Sequence, residues 1–481
     1  MTSLAELRIA VVGHANTGKT SILQTLLRRR DFGVVSPRGG TTRAVEAGEI
    51  RDDAGPIASI LDTPGLEDSL RLRDAIEAQR QDRHDDPRTL LDRFLQSEAA
   101  RDDDDLGLEA ASLRGALEAD VLLYAIDARD EPKPRHLDEL TVLAATARPV
   151  VPVLNFVARP EADAARWRDA CARQGLHATV AFDAVVYDDA GERRLLEAVR
   201  TLVPAHAAAI DRWLRLRRAD RELAIANACD ATADLLVDAA AAIVVTEAAE
   251  GDDRRRAAFE SASADLLAAV RDREAVARDR IAAAFGFTGD EATATTLEVV
   301  EALGGVDFAS PESLERAGLW AAGAGAGLLA AGAMVDLAVG GISLGGFTAL
   351  GAVGAALGAA GASGRKVLRR LRGQDEVRLG ETAIEVLAAR AMATIQAFLS
   401  RGHASVEPVS IEAEVAASLQ GSRSSEASDA ASAAIRVARS RAGWSGLSRP
   451  RPTTVPGPDR ADAVTAVSNA LRTAFPPPEV R

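Results

Sequence analysis

The chain has 481 residues, a formal net charge of −14 at pH 7 and only two cysteines. This length is too great for one ordinary hydrophobic core and predicts two or three domains. The acidic balance argues against general nucleic-acid binding, because phosphate contacts need clustered Lys and Arg. Without paired cysteine spacing, we expect a reducing compartment rather than a disulfide framework or a zinc site. The opening sequence MTSLAELRIAVVGH lacks signal-peptide features, so we expect no secretion and a cytoplasmic location.

The first predicted element is a buried strand at 8–13, followed by a phosphate-binding loop. Residues 13–20 read G-H-A-N-T-G-K-T, which satisfies G-x-x-x-x-G-K-[ST] before a helix-like run. The pattern predicts backbone N–H groups directed at phosphates, Lys19 at the β and γ oxygens, and Thr20 on Mg²⁺. A chance Gly-rich turn is the alternative, but the order strand, loop, helix disfavours it. The predicted nucleotide contacts in this loop are Gly13, His14, Ala15, Asn16, Thr17, Gly18, Lys19, Thr20 and Ser21.

A Gly-rich segment at 36–48, SPRGGTTRAVEAG, is the candidate switch loop. Thr42 lies immediately before Arg43 and is predicted to close on Mg²⁺ when a γ-phosphate is present. Taken alone, Thr41 and Thr42 would fit an ordinary pair at the start of a strand. The phosphate loop upstream favours the switch, so Thr42 joins Thr20 as a predicted metal ligand.

The next phosphate-site segment is LDTPGLEDS at 61–69, which follows an apolar strand. Asp62 is predicted to accept from Mg²⁺-bound water and completes the predicted metal set, while Gly65 presents its N–H to a γ-phosphate. Thr63 and Pro64 are predicted to contact the nucleotide beside them. The residues predicted to act in catalysis are Lys19, Thr42, Gly65 and Asn16.

These segments together resemble the Era/TrmE-like branch of the translation-factor-related P-loop GTPases. GHANTGKT is similar to the GxxNxGK[ST] loop of that branch, GGTTR to its switch, and DTPGLED to its DTPG motif. The resemblance covers about the first 200 residues. It implies GTP and GDP as ligands, Mg²⁺ as cofactor and hydrolysis of the γ-phosphate. Bacterial GTPases with a Gly-rich, helical C-terminal domain of unassigned role are similar in layout.

Two positions bear on hydrolysis. Leu66 stands where many relatives of this superfamily place a water-orienting Gln, and its side chain can neither donate nor accept. Hydrolysis is therefore expected to be slow without a partner. The resemblance also implies that Asn16 helps to seat K⁺ beside the phosphates, where the ion supplies positive charge. An Asn that merely favours a turn is the open alternative.

The base-reading motif departs from the family. The Asn-Lys-x-Asp expected after the fifth strand is replaced by Asn155-Phe156-Val157-Ala158. Asn155 and Phe156 remain predicted nucleotide contacts, with Phe156 stacking on the base. The carboxylate that would accept from guanine N1 and N2 is missing, so the choice between GTP and ATP stays open. Asp183 is a candidate substitute acceptor.

The fold predicted for 1–205 is α/β, a P-loop domain with a mostly parallel sheet. A long polar segment at about 70–118 predicts an acidic helical insertion. It is interpreted equally well as a solvated decoration or as a partner-binding or regulatory element. The candidate strands are the runs at 8–13, 44–52, 57–63, 120–128, 149–157 and 178–186.

An all-helical domain is predicted over 206–400, and it contains a Gly/Ala-rich segment at 317–364 with one charged residue, Asp336. The glycine spacing and the break within the segment predict a helical hairpin. The hairpin would either enter a membrane or pack inside the helical domain. The last segment, 401–481, is rich in Ser, Ala, Arg and Pro and is predicted to be low-complexity and partly disordered.

Three classes of function follow from these features. The first is a Mg²⁺-dependent, slowly hydrolysing GTPase switch that acts through a membrane-associated helical domain. The second is a soluble assembly or RNA-related GTPase with a buried hairpin, and the third is a dynamin-like membrane-remodelling GTPase. The predicted partners are GTP or GDP, lipid through 317–364 and an unidentified protein, and nucleic acid is not expected. The first class places the cytoplasmic protein at the inner membrane, peripherally or through the hairpin; the oligomeric state is left open.

Overall fold

A computed structural model of the chain describes residues 6–29, 32, 46–101, 106–287, 374–401, 426–451 and 457–476. The predicted switch residue Thr42 and the Gly/Ala-rich segment 317–364 lie outside the described residues. The chain divides into two compact units. The N-terminal unit is built mainly from Met1–Asp220, and the C-terminal unit from Arg221–Leu399 and Pro408–Glu479.

The N-terminal unit contains a six-stranded sheet in the order β2-β3-β1-β4-β5-β6. Every neighbouring pair is parallel except β2 and β3, which form an antiparallel pair. The predicted α/β fold with a mostly parallel sheet is therefore confirmed. The strands are β1 (Leu7–Val12), β2 (Glu46–Asp52), β3 (Gly55–Asp62), β4 (Val121–Asp127), β5 (Val150–Asn155) and β6 (Val180–Ala181).

Helices cover both faces of this sheet, which explains why its central strands are almost continuously apolar. In β4, every residue from Val121 to Ile126 is buried. One face packs against α1 and α7, and the other against α2 to α6. The helices are α1 (Lys19–Leu27), α2 (Ser69–Glu77), α3 (Pro87–Gln96), α4 (Gly107–Glu118), α5 (Pro134–Ala144), α6 (Ala164–Arg173) and α7 (Asp189–Leu202).

The acidic insertion predicted at about 70–118 forms helices α2, α3 and α4. Its apolar residues Leu91, Phe94 and Leu113 are fully buried in the core on one face of the sheet. Charged residues dominate the sequence of this segment, but the apolar residues recur at helical spacing and face inward. The described part of the insertion is therefore an integral layer of the domain and not a purely solvated decoration.

The last strand is much shorter than its apolar sequence suggests. The run at 178–186 predicts one strand, but β6 covers only Val180–Ala181. Asp183 explains the early end, because its carboxylate accepts hydrogen bonds from the backbone N–H groups of Val185 and Val186 at 2.9 and 3.0 Å. Such a local side-chain turn competes with a sheet ladder for the same backbone groups.

Helices and one short antiparallel pair of strands make up the described part of the C-terminal unit. Its core is rich in alanine, with Leu266, Ile384 and Leu471 among the fully buried larger residues. Within the described residues, no helix has both the length and the apolar character needed to cross a membrane. The remaining elements of the chain are α8 (Ala207–Ala241), β7 (Val244–Val245), α9 (Asp252–Ala284), β8 (Glu376–Val377), α10 (Glu381–Leu399), α11 (Glu426–Arg439) and α12 (Pro458–Arg472), with short 3-10 turns at Pro204–His206 and Ala442–Trp444.

A carboxylate in α8 holds together distant parts of the C-terminal unit. Asp234 accepts from the guanidinium groups of Arg460 at 2.7 Å and Arg280 at 3.1 Å, and it also pairs with Arg273. Burial acts to raise the pKa of Asp234, but the guanidinium groups of Arg460 and Arg273 together outweigh it, so the pKa is lowered. The network joins α8, α9 and α12, which are far apart in sequence.

One predicted boundary differs from the structure, and part of the predicted tail is helical. The domain boundary predicted at 205 lies at Asp220, because the first turns of α8 bury Ile210 and Trp213 in the core of the N-terminal unit. The segment 401–481, predicted to be partly disordered, contains α11 and α12. Its Ser- and Ala-rich composition resembles a linker, but alanine is the strongest helix former and the few large residues recur at helical spacing.

We predict that the end of the chain stabilises the C-terminal unit. Leu471 is fully buried, so Leu471→Ala should lower the free energy of unfolding by about 2–5 kcal/mol through lost burial and a cavity. Val437 is 46% exposed, so the control Val437→Ala should change it by only about 0.5 kcal/mol. Urea unfolding followed by circular dichroism measures both. Equal stability of the two variants would contradict the packed arrangement.

Candidate nucleotide site

The predicted site residues within the described range lie at one edge of the sheet, on loops and on the strand and helix ends that flank them. The carboxyl ends of parallel strands meet at the same edge, where α/β proteins bind their ligands. The loop from Gly13 to Gly18 follows β1, the segment from Thr63 to Leu66 follows β3, and Phe156 follows β5. The parallel order of the strands therefore brings together predicted site residues that are up to about 140 positions apart in the sequence.

The loop after β1 depends on two glycines. Gly13 has φ of 139° and Gly18 has φ of 83°, a region that residues with a Cβ atom rarely adopt. Space is also lacking, because a Cβ on Gly13 would lie 2.7 Å from the Ala125 carbonyl oxygen. A Cβ on Gly18 would lie 2.3 Å from Asn155 Nδ2. Both glycines are therefore required by backbone conformation and by close approach.

Lys19 is held inside the loop. Its ammonium donates to the carbonyl oxygens of Gly13 at 3.1 Å and His14 at 2.8 Å, and the residue is only 8% exposed. Burial lowers the pKa of Lys19, while the nearby carboxylates of Asp62 and Glu139 act in the opposite direction. The loop thus presents a partly desolvated cation, which interacts more strongly with a phosphate than an exposed one does.

A hydroxyl and a carboxylate form the candidate metal position. Thr20, in the first turn of α1, donates from Oγ1 to Asp62 Oδ2 at 2.8 Å, and Asp62 is the last residue of β3. Both are oxygen donors, and Mg²⁺ prefers one or two protein oxygens together with phosphate oxygens and water. The donor set therefore fits Mg²⁺. Ser21, the next residue of α1, is buried.

The segment after Asp62 lies directly against the loop after β1. Thr63 Oγ1 donates to the Val11 carbonyl at 2.7 Å, and the Pro64 carbonyl accepts from Ser112 Oγ at 2.9 Å. A Cβ on Gly65 would lie 3.0 Å from the backbone nitrogen of Ala15. Gly65 therefore allows the two backbones to approach closely at the place where its N–H is predicted to meet a γ-phosphate.

Asn155 ties three loops together. Its Nδ2 donates to the Thr17 carbonyl at 3.1 Å, and its Oδ1 accepts from the backbone nitrogens of Phe156 and Ala184, both at 2.9 Å. The residue is fully buried. Loss of this amide would leave several buried polar groups unsatisfied, so its position fixes the loops after β1, β5 and β6 relative to one another.

Phe156 occupies the position where the family has Lys. It adopts φ of 57°, and its ring Cζ lies 3.1 Å from the place where a Cβ on Gly18 would be. The Arg129 guanidinium carbon lies 4.2 Å from the ring centroid, a cation–π arrangement. The aromatic side chain is thus held beside the phosphate loop by a charged partner.

Asp183 lies next to the position of the missing carboxylate. Its Oδ2 accepts from the backbone nitrogen of Ala158 at 3.1 Å, while its Oδ1 accepts from Val185 and Val186. A carboxylate offers about four lone-pair sites, and three are used here. Asp183 therefore joins the loops after β5 and β6, with only Oδ2 left to accept one further bond.

Sequence reasoning missed the buried groups behind the phosphate loop. Glu139, on α5, is fully buried and accepts from the Tyr124 hydroxyl at 2.7 Å. Its other oxygen lies 3.2 Å from Nδ1 of His14, which the sequence placed in the loop without a side-chain role. No local pattern marks Glu139, because an acidic residue in a mixed helix is usually exposed. Only the fold brings these groups together.

Two protein families match parts of this chain. Residues 168–463 match the domain of unknown function DUF3482, and residues 8–156 match the 50S ribosome-binding GTPase family. GTPase Der of Nautilia profundicola is 26% identical over 153 residues, 31% of this chain and 26% of that protein. Translation initiation factor IF-2 of Roseobacter denitrificans is 23% identical over 160 residues, 33% of this chain and 14% of that protein. The chain thus covers 26% or less of these relatives.

Two solved structures of Era are also similar. Aquifex aeolicus Era bound to GDP·AlF4− is 20% identical, and the similarity covers 40% of this chain and 56% of that chain with a TM-score of 0.27. Era in complex with MgGDPNP and a segment of 16S ribosomal RNA is 21% identical, over 42% of this chain and 57% of that chain, with a TM-score of 0.30. The match to DUF3482 extends over more than half of the chain. The chain therefore belongs to the family of this domain of unknown function, and its N-terminal part is a P-loop GTPase domain.

Proposed function

We propose that this protein is a Mg²⁺-dependent switch that binds and slowly hydrolyses GTP and acts through its helical C-terminal unit. The observation that carries the proposal is the convergence of Lys19, Thr20, Asp62 and Gly65 on two adjoining loops. These residues provide a cation, two oxygen donors and a close backbone approach, the set that phosphoryl transfer from a nucleotide requires.

Each of these groups has a separate task in the proposed site. Lys19 would place its charge at the β and γ oxygens, where negative charge accumulates during transfer. Thr20 and Asp62 would hold Mg²⁺, which would supply positive charge to offset the negative charge of the phosphates. The Gly65 N–H would face the γ-phosphate, so that the segment after β3 distinguishes a triphosphate from a diphosphate.

Guanine is the base that the family match supports, and we propose that the base is held mainly by packing. Asn155 fixes the loops, and Phe156 offers an aromatic surface beside the phosphate loop. A paired hydrogen bond to guanine N1 and N2 needs two free carboxylate oxygens, whereas Asp183 has one free position. Discrimination between guanine and adenine should therefore be weaker than in a site with a free carboxylate.

Slow hydrolysis is proposed because the position after Gly65 is occupied by Leu66, whose side chain cannot orient a water by hydrogen bonding. Leu66 is fully buried and apolar. A partner protein or a bound monovalent cation would then have to position or polarise the water. Asn16, at φ of 64° in the phosphate loop, is the candidate residue for helping to seat K⁺.

The first prediction from this proposal concerns Lys19. Lys19→Ala should abolish tight GTP and GDP binding, because it removes the buried charge that faces the phosphates. Lys133→Ala is the matched control, since that ammonium is 48% exposed and lies 3.7 Å from Asp130 at the surface. Titration calorimetry in Mg²⁺ measures both affinities. Retained affinity in Lys19→Ala would overturn the site assignment.

The second prediction concerns the monovalent cation. GTP hydrolysis should be several-fold faster in K⁺ than in Na⁺, and Asn16→Gly should remove this difference. Glycine is the suitable replacement because it tolerates the positive φ and deletes only the amide. Phosphate release in the two chloride salts gives the comparison. Equal wild-type rates in both salts would rule out the cation role.

The third prediction concerns the Gly/Ala-rich segment at 317–364, which we propose as the membrane-associating part of the chain. Its support is the sequence alone, two long uncharged runs separated by Asp336. The intact protein should float with liposomes, and deletion of 317–364 should abolish flotation while nucleotide binding persists. Failure of the intact protein to float would favour a hairpin buried in a soluble GTPase. Flotation with nucleotide-dependent sedimentation would favour membrane remodelling.

A further inference from the structure

Leu66 is bound to the phosphate loop through both of its backbone polar groups. Its N–H donates to the Gly13 carbonyl at 3.1 Å, and its carbonyl oxygen lies 2.8 Å from Nδ1 of His14. A carbonyl oxygen can only accept, so Nδ1 of His14 must carry the hydrogen. Gly13, through its backbone carbonyl, and His14, through its side chain, therefore hold Leu66 in place.

A buried carboxylate lies behind this histidine. Glu139 Oε1 is 3.2 Å from His14 Nδ1, and Glu139 Oε2 accepts from the Tyr124 hydroxyl at 2.7 Å. Burial and the adjacent carboxylate raise the pKa of Tyr124, so its hydroxyl stays protonated and remains a donor. A buried carboxylate needs such donors to offset its desolvation. The negative charge of Glu139 at this distance favours the hydrogen on Nδ1 of His14.

We infer that His14, through the bond from Nδ1 to the Leu66 carbonyl, is a positioning residue that holds Gly65 and Leu66 ready for a γ-phosphate before nucleotide binds. The inference rests on the proposed function, because it concerns the same phosphate site. A preordered segment avoids the entropic cost of ordering when the triphosphate arrives. A diphosphate makes no contact at the γ position, so its binding gains nothing from this preordering.

Other contacts hold the same segment from the opposite side. Ser112 donates to the Pro64 carbonyl, and Glu109 Oε1 accepts from the Asp68 N–H at 3.3 Å. Both residues belong to α4 of the insertion. Because these contacts do not involve His14, its replacement should loosen the segment without unfolding it. The replacement should therefore change the ratio of triphosphate affinity to diphosphate affinity rather than the free energy of unfolding.

The test measures affinities of the full-length protein for GDP and for a non-hydrolysable GTP analogue in Mg²⁺. The readout is the ratio of the two dissociation constants within each variant, which removes any general damage to the phosphate loop. His14→Phe keeps a planar ring but no donor, and it should lower the preference for the triphosphate about threefold to tenfold, the effect of one net hydrogen bond.

Two further variants test whether position 14 must supply a donor at the place of Nδ1 or only a side chain that fills the space. In His14→Asn the amide nitrogen can reach the Nδ1 position and should restore most of the preference. In His14→Gln the amide extends toward the Nε2 position and should not. A wild-type ratio in His14→Phe would overturn the inference, and so would an equal loss in all three variants.

The readout also separates this inference from the proposed function. It does not depend on hydrolysis, so a wild-type protein that binds both nucleotides without hydrolysing GTP would contradict only the proposed enzymatic activity. If His14→Phe retained the wild-type ratio while the protein still hydrolysed GTP, only the inference would fail. A wild-type protein that bound neither nucleotide would overturn both.

Discussion

One backbone carbonyl, that of Gly13, is the reference point of the phosphate site. It accepts from the Lys19 ammonium and from the Leu66 N–H, both at 3.1 Å. The cation that we propose for the phosphates and the segment that we propose for the γ position are therefore bonded to the same atom. Gly13 can serve this purpose because its positive φ and lack of a Cβ let β1 turn sharply against Ala125. A larger residue there would displace both functional elements together.

The base side of the site is organised by backbone contacts more than by free polar groups. The Asn155 amide makes hydrogen bonds that join three loops. Asp183 uses three of its acceptor positions in hydrogen bonds within the loops after β5 and β6. Side chains whose hydrogen-bonding groups are mostly engaged in this way rigidify a site, but they leave little capacity to read a base. Rigid loops with Phe156 beside them suit tight phosphate binding with modest base discrimination.

The sequence predicted the features that depend on local order. The phosphate loop, Asp62 and the sheet class could be predicted because each motif sits between a strand and a helix in contiguous residues. The role of Glu139 could not be, because its partners His14 and Tyr124 meet it only through the packing of α5 on the sheet. The short β6 was missed because one Asp183 turn overrode an apolar run. Packing also determines the helices at Glu426–Arg439 and Pro458–Arg472, where sparse large residues complete a distant core.

The most direct test of the account is a calorimetric titration of the wild-type chain with GTP, GDP and ATP, with Mg²⁺ and then with the metal chelated. The account predicts one nucleotide per chain, binding of both guanine nucleotides, and a loss of affinity on chelation that is larger for GTP than for GDP. That difference is expected because Thr20 and Asp62 would hold a metal whose charge offsets the greater negative charge of the triphosphate. Absence of guanine nucleotide binding, or binding of GTP that is indifferent to Mg²⁺, would contradict it.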